Sequence, residues 1–272
     1  MSNGQTLPSE RAGASAHPTL AERISATVVT LNDERNIARA IESLRCEDEI
    51  LVVDSGSTDR TREIASRLGA RVIQETWRGY AGQKNFASGC AEHDWILSID
   101  ADEAVNEELE GEILALKQDG PRFNAYTMPR LAQYCGRWIR HGGWYPDRKI
   151  RLYRRGFAEW QGAFVHESVK TTHPVGQLNG HLLHFTCGSL SEHVRTVDKY
   201  TTLAARELAE RNQPVPLTRL TLDPAWTIFR TYILRRGFLD GPQGIAIAWM
   251  AGLYTFLKYA KAREPHANPP PR

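Results

Sequence analysis

No Cys-x-x-Cys pair, no Walker sequence and no G-x-G-x-x-G run occurs in the chain, and each absence removes a class of site. Cys46, Cys90, Cys135 and Cys187 stand far apart, which excludes a zinc ribbon or a dithiol motif and fits reduced thiols in a cytosolic protein. Without a glycine-rich loop, phosphates are not cradled by backbone N–H groups in the manner of those motifs. Charge of one sign is not in excess either: 34 basic against 32 acidic residues leave +2, too little to draw in nucleic acid by bulk attraction, and no nucleic-acid motif is present. Residues 1–22 lack the basic and apolar regions of a secretion signal and read as a loose leader. What is present, 41% hydrophobic and 24% charged residues, is the balance of an ordinary globular protein and excludes disorder of the whole chain.

Apolar, β-branched runs predict buried strands at Ile24 to Leu31, Ile50 to Val53, Arg71 to Gln74 and Trp95 to Ile99. Helical spacing predicts helices at Ile37 to Arg45, Arg60 to Leu68, Gln83 to Ala91 and Glu107 to Gln118. Strands and helices alternating in this way predict a mostly parallel sheet with crossover helices. Ligands of such sheets bind in the crevice at the carboxyl ends of the strands. Acids or amides follow three of these strands: Asn32 to Glu34, Asp54 with Asp59, and Asp100 with Asp102 and Glu103. Carboxylates gathered there repel one another unless a cation intervenes, and a hard divalent ion such as Mg²⁺ or Mn²⁺ would also bring a substrate diphosphate. The alternative is structural, with Asp102 and Glu103 serving a helix N-terminus.

Four segments in order, Thr30-Leu-Asn-Asp-Glu34, Val52-Val-Asp-Ser-Gly-Ser-Thr-Asp-Arg-Thr61, Gln83-Lys-Asn-Phe-Ala87 and Ser98-Ile-Asp-Ala-Asp-Glu103, resemble the nucleotide-sugar domain of the family 2 glycosyltransferases. The resemblance runs from about Ile24 to Glu167 and is nearest to bacterial lipopolysaccharide-core glycosyltransferases. It implies an α/β architecture of the GT-A, Rossmann-like kind with a C-terminal helical extension. It also implies that Thr30 and Glu34 border the nucleotide, that Asp54 reads uracil, that Lys84 or Asn85 lies near the donor, and that Asp100 and Asp102 form a D-x-D holding ribose and metal, with Asp102 the metal ligand. For Asp59 a helix cap competes with ligand contact, and for Lys84 a surface salt bridge competes with a phosphate contact.

Beyond Glu103 the character changes. Arginine and aromatic residues crowd 130–155, among them Arg130, Trp144, Tyr145 and Arg148, a set suited to stacking on a sugar and pairing with its anionic groups. Arg151, Tyr153 and Arg155 alternate as on a solvated strand edge. An inverting transferase needs a base for the acceptor hydroxyl, and His166-Glu167 stands where the family places it; Glu167 is the candidate, with His166 orienting it or replacing it. His181, His184 and His193 are not spaced as a zinc site and read as core or capping residues. A helix is predicted from Leu190, with Val194, Val197, Thr201, Ala204 and Leu208 on one face. Residues 241–257 carry no charge but contain Pro242, Gly244 and Gly252, so they read as a helix lying in a membrane interface, with a helix packed on the protein or a dimer contact as alternatives.

The expected division is a leader at 1–22, a nucleotide-sugar half at 23–120, an acceptor half at 121–188, a helical and membrane-associating extension at 189–264 and a tail at 265–272. The expected partners are a nucleotide-sugar donor, a lipid-linked saccharide and the inner face of the cytoplasmic membrane, with no nucleic acid. Three rivals remain. A D-x-D phosphotransferase lacks its usual residue after Asp102, a sugar nucleotidyltransferase lacks a glycine-rich basic loop after the first strand, and a non-catalytic saccharide-binding module differs from the transferase only in turnover.

Overall fold

The computed structural model describes residues 22–162, 167–211 and 215–264. Its first half is a parallel sheet in the order β3-β2-β1-β4, formed by β1 (Ile24–Thr30), β2 (Glu49–Asp54), β3 (Arg71–Gln74) and β4 (Trp95–Asp100). Between these strands run α1 (Ile37–Glu42), α2 (Thr61–Arg67) and α3 (Tyr80–Cys90). The two-residue period of the strands divides their side chains between two cores. Ile24, Ala26, Val28, Val52, Leu97 and Ile99 pack with α1, while Leu51, Val53 and Ile96 pack on the other face with Ala87 of α3 and Trp160. Burial on both faces is what uninterrupted apolar strands require.

Beyond β4 parallel and antiparallel pairings mix. The chain continues through β5 (Glu103–Val105), α4 (Glu107–Asp119), β6 (Ala125–Tyr134), β7 (Arg137–Trp138) and β8 (Asp147–Arg154). A ribbon of β9 (Glu159–Gln161) and β10 (Ser168–Lys170) precedes β11 (Gly176–Gln177) and β12 (Leu182–Cys187). β8 lies antiparallel between β4 and β6, and β12 and β5 complete the sheet, so one sheet runs through both halves. An internal β8 overturns the solvated-edge expectation: Arg151 and Tyr153 are buried, and Arg155 is half-buried with its guanidinium on the carbonyls of Ser88 and Ala91.

The C-terminal part is α5 (Leu190–Glu210), α6 (Thr218–Phe229), a π turn (Arg230–Leu234), a 3-10 turn (Gly237–Asp240) and α7 (Gly241–Ala262). The buried face of α5 is Val197, Thr201 and Ala205, while Val194, expected on it, is exposed, because the helix meets α7 along a narrower stripe. α7 does pack on the protein: Ile247 joins Tyr134 and Ile139 in a third core. Gly252 lets α6 and α7 approach closely, since a Cβ there would lie 2.5 Å from Ile228. Among the described residues no helix is long and apolar enough to cross a membrane.

Candidate active site

Thr30 and Asp54 face each other in register where β1 and β2 end, and Val29 is level with Asp100 of β4. Asp54 is fully buried, and its Oδ2 accepts the N–H groups of Gly56 and Ser57, each at 2.9 Å. That Asx turn folds the loop back, with Gly56 at a φ of 99° that favours glycine. Asp54 Oδ1 and Thr30 Oγ1 are buried with no partner among the described residues. Buried acceptors of this kind are uncommon and mark a place where a donor group is wanted. The neighbouring loop is laced to this one. Asn32 Oδ1 accepts the Thr58 N–H at 2.8 Å, and Asp59 accepts the N–H groups of Thr61 and Glu34. Asp59 therefore takes the capping role, and Glu34 is engaged with Arg60 at 3.4 Å. Burial pushes the Asp33 carboxyl up, aided by the charges of Asp102, Asp59 and Asp100.

The carboxylates after β4 differ sharply in what they already hold. Asp100 meets Lys84 Nζ at 2.7 Å and Arg151 Nη2 at 3.0 Å. Burial works against its ionisation, but these two cations outweigh burial and hold its carboxyl well below the usual carboxylate range. Glu103, fully buried, takes Arg151 at 2.7 Å and Arg130 at 3.5 Å, and its Oε2 accepts the Asp100 N–H. Asp102 has neither cation. Its carboxylate lies 3.3 Å from Nε2 of His184, across from it on β12. The acid cluster is thus neutralised internally at two of its three members, and Asp102 is the member left to meet a ligand.

Lys84 is 2% exposed, so a surface salt bridge is the wrong description of it. Its ammonium also lies 3.4 Å from Glu167 Oε1 and 4.1 Å above the Trp160 ring, which joins the D-x-D to the proposed base through one cation. Glu167 Oε2 is buried without a partner among the described residues. His166 lies outside the described residues. Asn85, one position along α3, does not face the acids: its amide exchanges two bonds of 2.9 Å with the backbone of Trp160 and fastens α3 to β9.

Between β6, β8 and β12 a cavity of about 390 Å³ is lined by Arg130, Ala132, Gly143, Trp144, Asp147, His184 and Thr186. It adjoins Asp102 through His184, and two of the four expected acceptor residues, Arg130 and Trp144, line it. The other two are engaged within the protein. Tyr145 stacks on His181 with a bond of 3.0 Å between hydroxyl and Nε2, and Arg148 donates to the Leu178 carbonyl at 3.0 Å. His181 and His193 are structural as expected, His193 bonding the Tyr134 hydroxyl at 2.9 Å. His184, expected as a core or capping residue, is partly buried with Nε2 3.3 Å from the Asp102 carboxylate.

The donor set fits a divalent ion. A carboxylate and an imidazole stand close enough to turn toward one cation. Among the described residues no cluster of three such ligands occurs, so the remaining positions would be filled by diphosphate oxygens and water.

A family model, glycosyl transferase family 2, matches residues 25–171, more than half of the chain. The chain belongs to that family. The transferase is 34% identical over 255 residues to an uncharacterised glycosyltransferase of Rickettsia typhi, spanning 89% of this chain and 87% of that protein. It is 33% identical to LpsC of Rhizobium meliloti, a lipopolysaccharide core biosynthesis glycosyltransferase, over 90% of this chain and 93% of that one. Among solved structures it resembles S. aureus TarS in complex with UDP-GlcNAc, at 17% identity and a TM-score of 0.45, covering 87% of this chain and 81% of that one. The transferase is an enzyme with the α/β, GT-A architecture and the C-terminal helices expected of it.

Proposed function

We propose that the transferase moves a hexosyl group, with inversion, from a UDP-sugar to a lipid-linked envelope saccharide such as lipopolysaccharide core, at the inner face of the cytoplasmic membrane. The observation that carries this reading is the division of labour after β4, where Asp100 and Glu103 are paired with internal cations and Asp102 faces His184 beside the acceptor cavity. The relationship to LpsC supports the acceptor class. The unpartnered Asp54 Oδ1 and Thr30 Oγ1 support a nucleobase and ribose at the ends of β1 and β2. Mg²⁺ or Mn²⁺ held by Asp102 with His184 would neutralise charge on the departing diphosphate.

The chain's own residues supply the rest. The acceptor hydroxyl attacks the anomeric carbon from the side opposite the diphosphate. Its oxygen forms the new glycosidic bond, its proton passes to Glu167, and the bond to the diphosphate breaks, releasing UDP. Lys84 holds the Glu167 carboxylate in place before transfer and remains paired with Asp100 after Glu167 has lost its charge. Arg130 and Trp144 orient the incoming saccharide, the indole on a sugar face and the guanidinium on its anionic groups.

The test is donor hydrolysis across UDP, GDP, ADP and dTDP sugars with and without Mn²⁺ or Mg²⁺. Metal-dependent release of one nucleotide, lost in Asp102→Ala, is the expected outcome. Glu167→Ala should keep donor binding and lower transfer by roughly 10² to 10⁴. Nucleotide-sugar binding without turnover, even with acceptor supplied, would instead favour the saccharide-binding module.

A further inference from the structure

α6 and α7 form an antiparallel pair. Thr227 meets Thr255 at 3.4 Å, Ile228 and Pro224 lie against Gly252, and Gly237 lies against Gly244. One side of the pair is used internally, where α7 rests on α5 and on Tyr134 and Ile139. The other side is apolar and, among the described residues, uncovered. On α6 the side chains of Leu222, Trp226 and Phe229 recur four and three residues apart, continued by Ile233 in the π turn. On α7 Ile245, Trp249, Leu253 and Phe256 recur at the same spacing. All eight are more than a third exposed, Trp226 at 55% and Trp249 at 63%. At about 100° per residue, each stripe falls clear of the residues that its own helix sets against the other. The 3-10 turn adds Phe238 and Leu239, at 46% and 48% exposure. An apolar face of this extent marks an interaction surface.

Charge decides the partner. Residues 215–264 hold seven basic residues against three acidic, and one of the three, Asp240, is buried. Arg230, Arg235 and Arg236 stand exposed where α6 runs out, beside the apolar stripe. A second copy of the chain laid on this face by two-fold symmetry would set the same arginines against one another. An anionic lipid surface would satisfy both the arginines and the apolar stripes, with the two tryptophans at headgroup level. No described helix is suited to crossing, so the pair would lie in the interface.

One of these arginines, Arg235, reaches the loop at Gly142 and Gly143. The Arg235 carbonyl accepts the Gly142 N–H at 2.9 Å, and its side chain lies over Gly143, a residue lining the acceptor cavity. Asp240 holds the loop from the other side, accepting the His141 N–H at 2.8 Å.

We propose that the α6–α7 face is an in-plane seat on an anionic bilayer, which brings the Gly142–Pro146 loop and its cavity to the level of lipid headgroups. The position of the cavity matters because of the lipid-linked acceptor proposed above; the seat itself needs no substrate.

The test is co-sedimentation of the full chain with phosphatidylcholine vesicles, with and without about 30% phosphatidylglycerol, together with the emission maximum of tryptophan. Binding to the anionic vesicles with a blue shift is expected. Trp226→Ser with Trp249→Ser should weaken it by roughly tenfold or more. Replacing Arg230, Arg235 and Arg236 by Gln should abolish the preference for anionic lipid. Metal-dependent donor hydrolysis by the tryptophan variant should be unchanged, which certifies its fold. Failure of the wild type to bind vesicles overturns the seat, as does equal binding by the tryptophan variant. A dimer in sedimentation equilibrium that the tryptophan variant loses, without vesicle binding by either, overturns it in favour of a second copy. Because vesicle binding is read without donor or acceptor, the seat and the transferase reading fail separately.

Discussion

Arg151 is the residue on which the electrostatics of the site most depend. It bonds Asp100 and Glu103 together, lies 5.1 Å from the Trp160 ring and has no solvent to replace these partners. Removing one member of a buried ionic group leaves the others uncompensated, at about 3 to 5 kcal/mol. Arg151→Met should therefore lower the unfolding free energy measured by urea titration by that amount even without ligand. Glu47 carries the opposite lesson. Burial pushes its carboxyl up to about 7, Lys117 being 4.0 Å away and already paired with Asp48 at 2.8 Å. A carboxyl raised in the folded state contributes stability below its ordinary range, near 4.5, and loses it as pH rises through about 7. Glu47→Gln should consequently be more stable than the parent above pH 7, by on the order of 2 kcal/mol, with the gap closing toward pH 4.5 in a series of thermal melts. Asp100, held below the usual range, acts in reverse and loses its contribution as pH falls. At this scale the sequence was readable only where chemistry and chain position coincide. Asp102 could be singled out because it follows an apolar strand. His184 could not, because its partner lies in a turn remote in the chain, and spacing carries no information about such pairs. Lys84 and Asn85 are neighbours about 100° apart on a helix, and no pattern says which one turns inward.

Elements with a long period were legible and short ones were not. β1 to β4 and the helices between them follow the expected spans within a few residues, since each repeats its period several times. β7, β9, β10 and β11 are two or three residues long and hold no period to read. The alternation of Arg151 and Tyr153 was visible but ambiguous, because the same pattern serves an edge strand and an internal strand whose charges are paired. Glycine in 241–257 gave a similar ambiguity. It weakens a membrane span, yet Gly252 is there for a different reason, the contact with Ile228 and the Pro224 carbonyl. Gly252→Leu should force α6 from α7 and cost about 1 to 3 kcal/mol, as overpacking does, against the gain in helix propensity. Hydrogen exchange should then quicken in α6 and α7 while β1 to β4 keep their protection, which would separate a local repacking from general destabilisation.

For the whole molecule, the gathering of three strand ends at one crevice was the feature the chain declared most openly, and it follows from topology alone once the first four strands are parallel. Where the acceptor region sits relative to them was not readable, since β8 enters the sheet against the direction of β4, and the C-terminal helices reach back over the loop at 141–146. That last arrangement bears on how the protein comes into being. Asp240 fastens the backbone of Arg140 and His141, and it stands 100 and 99 residues after them in the chain. Chains fold from the amino end as they are synthesised. The four parallel strands can close while the ribosome is still adding residues, but the loop gains its hold on Asp240 only after that residue has been made. With the acceptor placed beside that loop, as proposed above, acceptor use would mature later than the parallel sheet, and a chain cut short before Asp240 would carry the four strands with that hold on the loop missing.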